Sequence, residues 1–363
     1  MFLKASWYVA AWDWEVADRP VGRKILGEPI VIFRDRASRP FALQDSCPHR
    51  RLPLSMGCVV GDHLRCGYHG MAFDGEGRCA DIPGQDKIPP AAAVRSFPLV
   101  ERWNLLWVWM GDPDAADPSC IIEVPHYDDP DWAINRGPPM DVACDYRLMN
   151  DNLLDPTHVS YVHASSLGNE DTIGIPVETR ADGDRVVVRR WILNHQLAPF
   201  FSSRVKFAGA ADRLQHYELR LPSTAVIKDV IAPAGSGAPE GRAAADTWLV
   251  DSYNFVTPVD DQNCRYFWFQ LRNYDVDDPT ESEALTTDFI SAFNEDLVVL
   301  AAVQKGLRSN AAGMDLAADR GSNHARRILD KMIRAESLLS REQLHGAAQF
   351  DALANASKCA FFP

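Results

Sequence analysis

Two short pairs of metal-binding residues, Cys47-Pro48-His49 and Cys66-Gly67-Tyr68-His69, constrain this chain more than any other feature. Residues 50–65 lie between them. Each pair offers one thiolate and one imidazole, and both are strong ligands for transition metals. The fold has to bring the two pairs together to use all four donors. We therefore expect both pairs on neighbouring loops, with Gly and Pro supplying the turns.

Cys47, His49, Cys66 and His69 suit a Rieske [2Fe-2S] cluster, in which two histidines replace two cysteines on one of the irons. Structural zinc also accepts two cysteines and two histidines, but zinc fingers usually place both cysteines in one half of the motif. Because each half here mixes the two ligand types, the pattern favours a cluster that carries one electron at a time. A zinc-binding module is the alternative, and it would give a colourless protein.

The composition and the charge of the chain indicate which binding partners and which cellular location are expected. The chain has 363 residues, of which 46% are hydrophobic, so it is long enough for two domains with real cores. Its formal net charge of -13 argues against nucleic acid or an anionic membrane surface as a partner. No apolar stretch reaches the roughly 18 residues of a membrane span, and no apolar run follows Lys4 at the start. The sequence therefore predicts a cytoplasmic protein without a membrane partner.

The chain divides into two regions with different patterns of apolar residues and turn-forming residues. Residues 1–125 contain short apolar or alternating runs broken by Gly and Pro, which predicts a small antiparallel β domain. Residues 126–363 contain a helical stretch at 146–154, then several strands, and two closing helices at 281–305 and 323–339. A sheet followed by late helices predicts an α+β fold.

A second candidate metal site lies in the segment 152–163, which holds two histidines and a carboxylate among apolar residues. His158 and His163 are five residues apart, so they would lie about 140° apart around an ideal helix. Converging on one ion then requires a π-bulge or a break, and Pro156 supplies a reason for one. Core or surface imidazoles without a metal are the alternative.

A third ligand is predicted in the first closing helix. Phe289, Phe293, Asp296 and Leu300 fall at steps of four, three and four, so Asp296 lies on the apolar stripe of that helix. A buried carboxylate is costly unless it is paired or bound to metal. Two histidines and a carboxylate form the facial triad that leaves positions open on Fe(II). Glu295 points about 100° away and is the weaker candidate, and a carboxylate paired within the core is the alternative for Asp296.

The chain resembles the oxygenase components of Rieske non-haem iron oxygenases. The resemblance covers nearly the whole chain, and it is closest for the short subunits of vanillate O-demethylase, toluenesulfonate methyl-monooxygenase and dicamba monooxygenase type. The matching segments are Trp7-Tyr8-Val9-Ala10, Cys47-Pro48-His49-Arg50, Cys66-Gly67-Tyr68-His69-Gly70, Asn152-Leu153-Leu154-Asp155 and Glu295-Asp296. These motifs are specific for the family and only weakly specific for the substrate.

The resemblance implies a role for each matching residue. Cys47, His49, Cys66 and His69 would bind the [2Fe-2S] cluster, and His158, His163 and Asp296 would bind mononuclear iron. Asp155 would link an iron-ligand histidine to a cluster histidine of the neighbouring subunit, which implies a ring-shaped homotrimer. Asn152 matches a position near the iron. Pro156 departs from the family pattern but leaves every ligand position intact. The implied architecture is an N-terminal all-β Rieske domain followed by a helix-grip, START-like catalytic domain.

The resemblance also implies the reaction. A reductase with flavin and a ferredoxin-type centre would pass electrons from NAD(P)H, and O2 would hydroxylate a methyl or methoxy C–H of a small aromatic acid. A methoxy group would be lost as formaldehyde, whereas an aryl methyl would become an alcohol. The alternatives are an electron-transfer or ligand-binding Rieske protein without oxygenase chemistry, or an oxygenase acting on an aryl ether such as phenoxybenzoate or on an arylsulfonate.

Residues that contact the substrate are predicted less directly. Lys228, in an apolar strand, could anchor a carboxylate or sulfonate, although a solvated lysine on the outer face is equally consistent with its position. Asn254 aligns approximately with a substrate-contacting histidine of the dicamba enzyme. Phe200, Phe201 and Phe207 could line an aromatic slot, but the sequence favours plain core positions for each of them.

Overall fold

The computed structural model describes residues 1–164, 166–242, 246–307 and 313–345, with side chains up to residue 339. The end of the predicted second domain, residues 346–363, lies outside these ranges. The described residues divide into two compact units. One contains Met1–Ile122 and Thr257–Asp260, and the other contains Glu123–Val256 and Asp261–Leu338.

The first unit is built from antiparallel β-sheets, as the short runs predicted. Its strands are β1 Trp7–Trp12, β2 Val21–Ile25, β3 Glu28–Arg34, β4 Pro40–Gln44, β5 Cys58–Val60, β6 His63–Arg65, β7 Ala72–Phe73, β8 Cys79–Asp81, β9 Ser96–Phe97, β10 Leu99–Arg102 and β11 Leu105–Trp109. They pair in the orders β1-β11-β10, β2-β3-β4-β9 and β5-β6-β7-β8. Strands β2 and β3 are joined by Leu26 and Gly27 with φ of 52° and 84°. Positive φ at both turn residues is the geometry that tight hairpins prefer.

The first unit also includes Thr257–Asp260, which the sequence pattern assigned to the second domain. The amides of Leu26 and Gly27 donate to the carbonyls of Pro258 and Val259, at 2.9 Å each. The Thr257 hydroxyl donates to the Val9 carbonyl at 2.6 Å. The predicted boundary at residue 125 therefore misses Thr257–Asp260, because pairing between residues so distant in sequence leaves no local signal.

The second unit combines a large sheet with helices. Its elements are β12 Ala133–Arg136, β13 Met140–Val142, α1 Tyr146–Leu153, α2 Val159–Val162, β14 Glu178–Asp182, β15 Arg185–His195, α3 Pro199–Ser202, β16 Ala211–Arg220, β17 Thr224–Pro233, β18 Trp248–Asp260, β19 Asn263–Arg272, α4 Pro279–Leu307 and α5 Arg320–His345. The end of β18, Thr257–Asp260, belongs to the first unit. The sheet order within the described residues is β12-β19-β18-β17-β16-β15-β14, with β13 also pairing with β19. Neighbours β15, β16, β17 and β18 run antiparallel. The predicted antiparallel sheet with C-terminal helices is thus confirmed.

Helix α4 carries one of the predicted ligands on its buried side. It begins at Pro279, where the Asp278 side chain accepts a hydrogen bond from the Thr280 amide at 2.8 Å. Asp278 therefore caps the helix, and Pro279 at the first helical position needs no amide partner. Asp296 is buried, with 5% of its surface exposed, among Phe293 and other apolar residues of the same stripe.

Candidate metal centres

Both Cys-His pairs lie on loops of the first unit. Cys47 follows β4, and Cys66 begins the connection between β6 and β7. Each loop is closed around its cysteine by backbone hydrogen bonds. The Cys47 amide donates to the Leu52 carbonyl at 2.9 Å, and the Cys66 amide donates to the Met71 carbonyl at 2.8 Å. Gly70 has φ of 77°, a conformation that favours glycine and turns the second loop back towards its strand.

The four donors separate into a buried sulfur end and an exposed imidazole end. Cys47 and Cys66 are 2% and 3% exposed, whereas His49 and His69 are exposed, with ring centroids 4.5 Å apart. Tetrahedral zinc would hold its ligand atoms about 3.3–3.8 Å apart. Among the described residues, these four donors do not form a group of three or more that could hold a single metal ion. The donor set therefore fits a two-iron cluster with sulfurs at one iron and nitrogens at the other.

The second unit brings His158, His163 and Asp296 together. One potential ligand atom from each of the three lies within 4.8 Å of the others. The Nε2 atoms of His158 and His163 lie 3.6 and 3.3 Å from the two oxygens of the Asp296 carboxylate. Two imidazoles facing a buried carboxylate fit a divalent iron with open positions, as predicted for a facial triad.

A break between α1 and α2 allows the two histidines to converge. Helix α1 ends at Leu153, and α2 spans only Val159–Val162. His158 and His163 flank this short helix at its two ends. The predicted interruption near Pro156 is therefore confirmed. An unbroken helix would have directed the two rings to different faces.

Three further side chains lie around the triad, and two of them form hydrogen bonds with it. Glu295 Oε2 lies 2.6 Å from His163 Nδ1, so Glu295 contacts a ligand although its helical position made it the weaker ligand candidate. The Asn152 amide donates to Asp296 Oδ1 at 2.9 Å. Asp155 Oδ2 lies 3.9 Å from His158 Nδ1, and that nitrogen is buried without a hydrogen-bond partner among the described residues.

These surroundings affect the two histidines differently. Burial lowers the pKa of His158, although Asp296 and Asp155 oppose the shift. Burial also acts to lower the pKa of His163, but hydrogen bonds with Asp296 and Glu295 outweigh it and raise the pKa. Metal ligation requires a neutral imidazole with a free nitrogen. Partners on Nδ1 leave Nε2 for the metal and fix the orientation of the ring.

The triad forms part of the wall of a cavity in the second unit. The cavity contains about 670 Å³ of empty space, part of it open to solvent. Its apolar wall is made by Leu153, Val159, Leu167, Phe200, Phe201, Ile227, Trp248, Val250, Phe289, Ala292 and Phe293. Phe200 and Phe201 line the cavity, although the sequence favoured plain core positions for them. Phe207 is not among the cavity-lining residues and packs against the apolar cluster that contains Phe200 and Phe201. Such walls suit an aromatic ring.

The predicted substrate residues Lys228 and Asn254 do not line this cavity. Lys228 pairs with Asp251 opposite it on β18, and it alternates with Ile227 and Asp229, which do face the cavity. Asn254 is completely buried, and its amide donates to the Ser252 carbonyl at 3.0 Å. Both predictions are therefore wrong for this cavity.

Several polar residues of the cavity wall beyond Asn152 and the triad were missed in the sequence. Arg213 and Tyr217 on β16 and Asp229 on β17 contribute to its wall, on the same face of the sheet. The signal available was the placement of Arg213 and Tyr217 four residues apart in one strand, which puts both on one face. That spacing does not show which face of the sheet is covered by the rest of the unit.

Two known domains match this chain. Residues 6–98 match the Rieske [2Fe-2S] domain, and residues 142–335 match the vanillate O-demethylase oxygenase C-terminal domain. These matches cover the Cys-His loops and the triad.

Curated relatives and solved structures match over most of their length. The iron-sulfur subunit of the toluene-4-sulfonate monooxygenase system from Comamonas testosteroni is 37% identical, covering 93% of this chain and 99% of the relative. The vanillate O-demethylase oxygenase subunit of a Pseudomonas species is 38% identical, with 93% and 96% covered. Dicamba monooxygenase bound to 3,6-dichlorosalicylic acid superposes with a TM-score of 0.86 at 30% identity, over 93% and 99% of the two chains.

Proposed function

Because this chain belongs to the Rieske non-haem iron oxygenases of the vanillate O-demethylase type, we propose that it hydroxylates a methyl or methoxy C–H of an aromatic acid. The observation that carries the proposal is the His158, His163 and Asp296 triad in the wall of an aromatic cavity. The net reaction joins one oxygen atom of O2 to the carbon and reduces the other to water with two electrons and two protons. A hydroxylated methoxy group then releases formaldehyde and leaves a phenol.

The cofactors of the family are a Rieske [2Fe-2S] cluster and mononuclear iron, which together supply single electrons and O2 activation. Cys47, His49, Cys66 and His69 would hold the cluster. His158, His163 and Asp296 would hold the iron, with Asn152 orienting the Asp296 carboxylate through its 2.9 Å hydrogen bond. The aromatic walls exclude water and orient the ring of the substrate, so that one C–H faces the triad.

Oxygenases of this type draw their electrons from a partner reductase and act on aromatic compounds. We infer that the reductase carries flavin and a ferredoxin-type centre and oxidises NAD(P)H. No helix among the described residues has the length and apolar character needed to cross a membrane. We propose a cytoplasmic location, where NAD(P)H is available.

We propose that the chain forms a homotrimer in which electrons pass between neighbouring subunits. The imidazoles His49 and His69 are exposed, so this end of the cluster is open to a partner surface. In the second unit, His158 Nδ1 is buried without a hydrogen-bond partner among the described residues, with Asp155 3.9 Å away. We propose that Asp155 connects His158 with a cluster histidine of the neighbouring subunit. Light scattering should give three times the mass of the chain, and a fully active monomer would contradict this path.

The substrate class is tested by product analysis. The purified protein is combined with a flavin- and ferredoxin-containing reductase and NADH, and offered methoxybenzoates, vanillate, toluenesulfonate and phenoxybenzoates. We expect formaldehyde from a methoxy acid or an alcohol from a methyl acid, and no product from benzoate, which lacks both groups. Reduction and reoxidation of the cluster without product from any compound would favour the electron-transfer alternative.

Glu295 is expected to strengthen iron binding through His163. Its carboxylate holds His163 Nδ1 at 2.6 Å, and loss of such an outer partner typically costs about 10–100-fold in metal affinity. Replacing Glu295 with Gln should therefore weaken Fe(II) binding by about that factor in competition with a chelator, while the visible absorption of the cluster is unchanged. Glu283→Gln, at an exposed position of the same helix, is the matched control. Equal iron affinity in Glu295→Gln and the unmodified protein would rule out this role.

A further inference from the structure

We propose that Arg213 binds the anionic group of the substrate, and that Asp229 positions its guanidinium for this purpose. The inference rests on the proposed function, since it concerns the cavity beside the triad. It assigns the substrate anchor to a different strand from the lysine that the sequence suggested.

Arg213 is a buried cation in the wall of the cavity. Only 4% of its side chain is exposed. The guanidinium carbon lies 3.9 Å from the centre of the Phe201 ring, so one face of the group is covered by an aromatic side chain. A charge in such surroundings is costly unless its donors are paired.

The hydrogen bonds of Arg213 leave one edge of the guanidinium without a partner. Nε donates to Asp229 Oδ1 at 2.8 Å, and Nη1 reaches the Leu167 carbonyl only at 3.5 Å. Nη2 has no hydrogen-bond partner among the described residues. An arginine side chain carries five N–H donors, so most of its capacity is unused. Because Arg213 lines the cavity and is otherwise enclosed, a bound molecule can satisfy those donors from inside the cavity.

The unused donors select the chemistry of the ligand. A carboxylate or sulfonate is an acceptor-only group, and arginine can donate two parallel hydrogen bonds to two oxygens of such an anion. Asp229 accepts the hydrogen bond from Nε and thereby fixes the plane of the guanidinium, but its negative charge opposes an approaching anion. The ion pair with Asp229 therefore orients the Arg213 guanidinium for the anion, and the Asp229 charge limits how tightly the anion binds. Aromatic residues such as Phe200 and Trp248 enclose the space beside it for the ring.

Binding is measured separately from turnover, with 4-methoxybenzoate as the probe and 4-methoxybenzamide as its neutral counterpart. Calorimetry should show that Arg213→Gln raises the Kd of the acid by about 10–100-fold, the effect of losing a charge-assisted pair, and changes that of the amide by less than about threefold. Arg265→Gln removes an ion pair with Asp141 outside the cavity, and should leave both constants unchanged. Circular dichroism confirms the fold of each variant.

Asp229→Asn gives an independent test that does not remove the arginine. The amide oxygen can still accept from Nε, but the opposing negative charge is lost, so the acid should bind more tightly than to the unmodified protein. The proposal would be overturned if the acid bound no better than the amide, or if Asp229→Asn weakened acid binding. It would also be overturned if Lys228→Gln weakened acid binding and Arg213→Gln did not.

The two proposals fail in different ways. Acid binding that depends on Arg213, without hydroxylated product from any compound, would leave the anion site standing and remove the proposed function. Product formation with equal binding to Arg213→Gln would retain the function and remove the anion site.

Discussion

Replacing His158 with alanine is expected to abolish product formation and to leave the absorption spectrum of the [2Fe-2S] cluster unchanged. His158 Nε2 lies 3.6 Å from Asp296 Oδ1, and the substitution removes one of three ligand atoms that lie within 4.8 Å of one another. Loss of an outer partner already costs about 10–100-fold, so loss of a direct ligand should reduce turnover by more than about 100-fold. Iron content and formaldehyde or alcohol yield are measured in parallel.

The control for this variant is His216→Ala. His216 faces Glu218 at 3.6 Å and is not part of the cavity wall described above. We expect it to retain iron and activity. If His158→Ala turned over substrate at the rate of the unmodified protein, the triad would not be the site of the chemistry.

Replacing Asp155 with Asn should slow turnover by about 10–100-fold while iron and cluster remain at full occupancy. Asp155 Oδ2 lies 3.9 Å from His158 Nδ1, and Oδ1 accepts hydrogen bonds from the amide and hydroxyl of Thr157 at 2.7 and 2.6 Å. An amide of the same shape preserves the packing but lacks the negative charge that would link two histidines.

The informative measurement for Asp155→Asn is the rate at which the reduced cluster is reoxidised by O2 in the presence of substrate. Reduction of the cluster by the reductase should be unchanged, whereas reoxidation should be slowed. Asp141→Asn is the matched control, because Asp141 is an exposed carboxylate that pairs with Arg265. Normal reoxidation in Asp155→Asn would remove Asp155 from the electron path.

The ligand positions could be predicted from sequence because their signals are local. The two Cys-His pairs are short motifs, Pro156 marks the break between the histidines, and the spacing of Phe289, Phe293 and Asp296 places a carboxylate on a buried stripe. The Cys-His signal depends on residue types a few positions apart, and the other two depend on the conformation of proline and on the period of a helix.

The contacts that shape the cavity could not be predicted, because they join distant strands. Lys228 lies opposite Asp251, and only the register of β17 and β18 shows that it faces away from the cavity. Glu295 reaches His163 because its side chain is long enough to leave its helical face, which residue spacing alone does not show. Arg213 on β16 forms an ion pair with Asp229 on β17. The sequence shows that both residues are charged, but it does not show that they pair.

Single-turnover chemistry with the purified protein tests the central claim most directly. The protein is reduced without O2, freed of reductase, mixed with an aromatic acid that binds it, and exposed to O2. Samples with and without mononuclear iron, but with equal cluster content, are compared. We expect formaldehyde or alcohol in proportion to the mononuclear iron and none in its absence. Equal product in both samples, or no product in the iron-loaded sample, would contradict an oxygenase site at His158, His163 and Asp296.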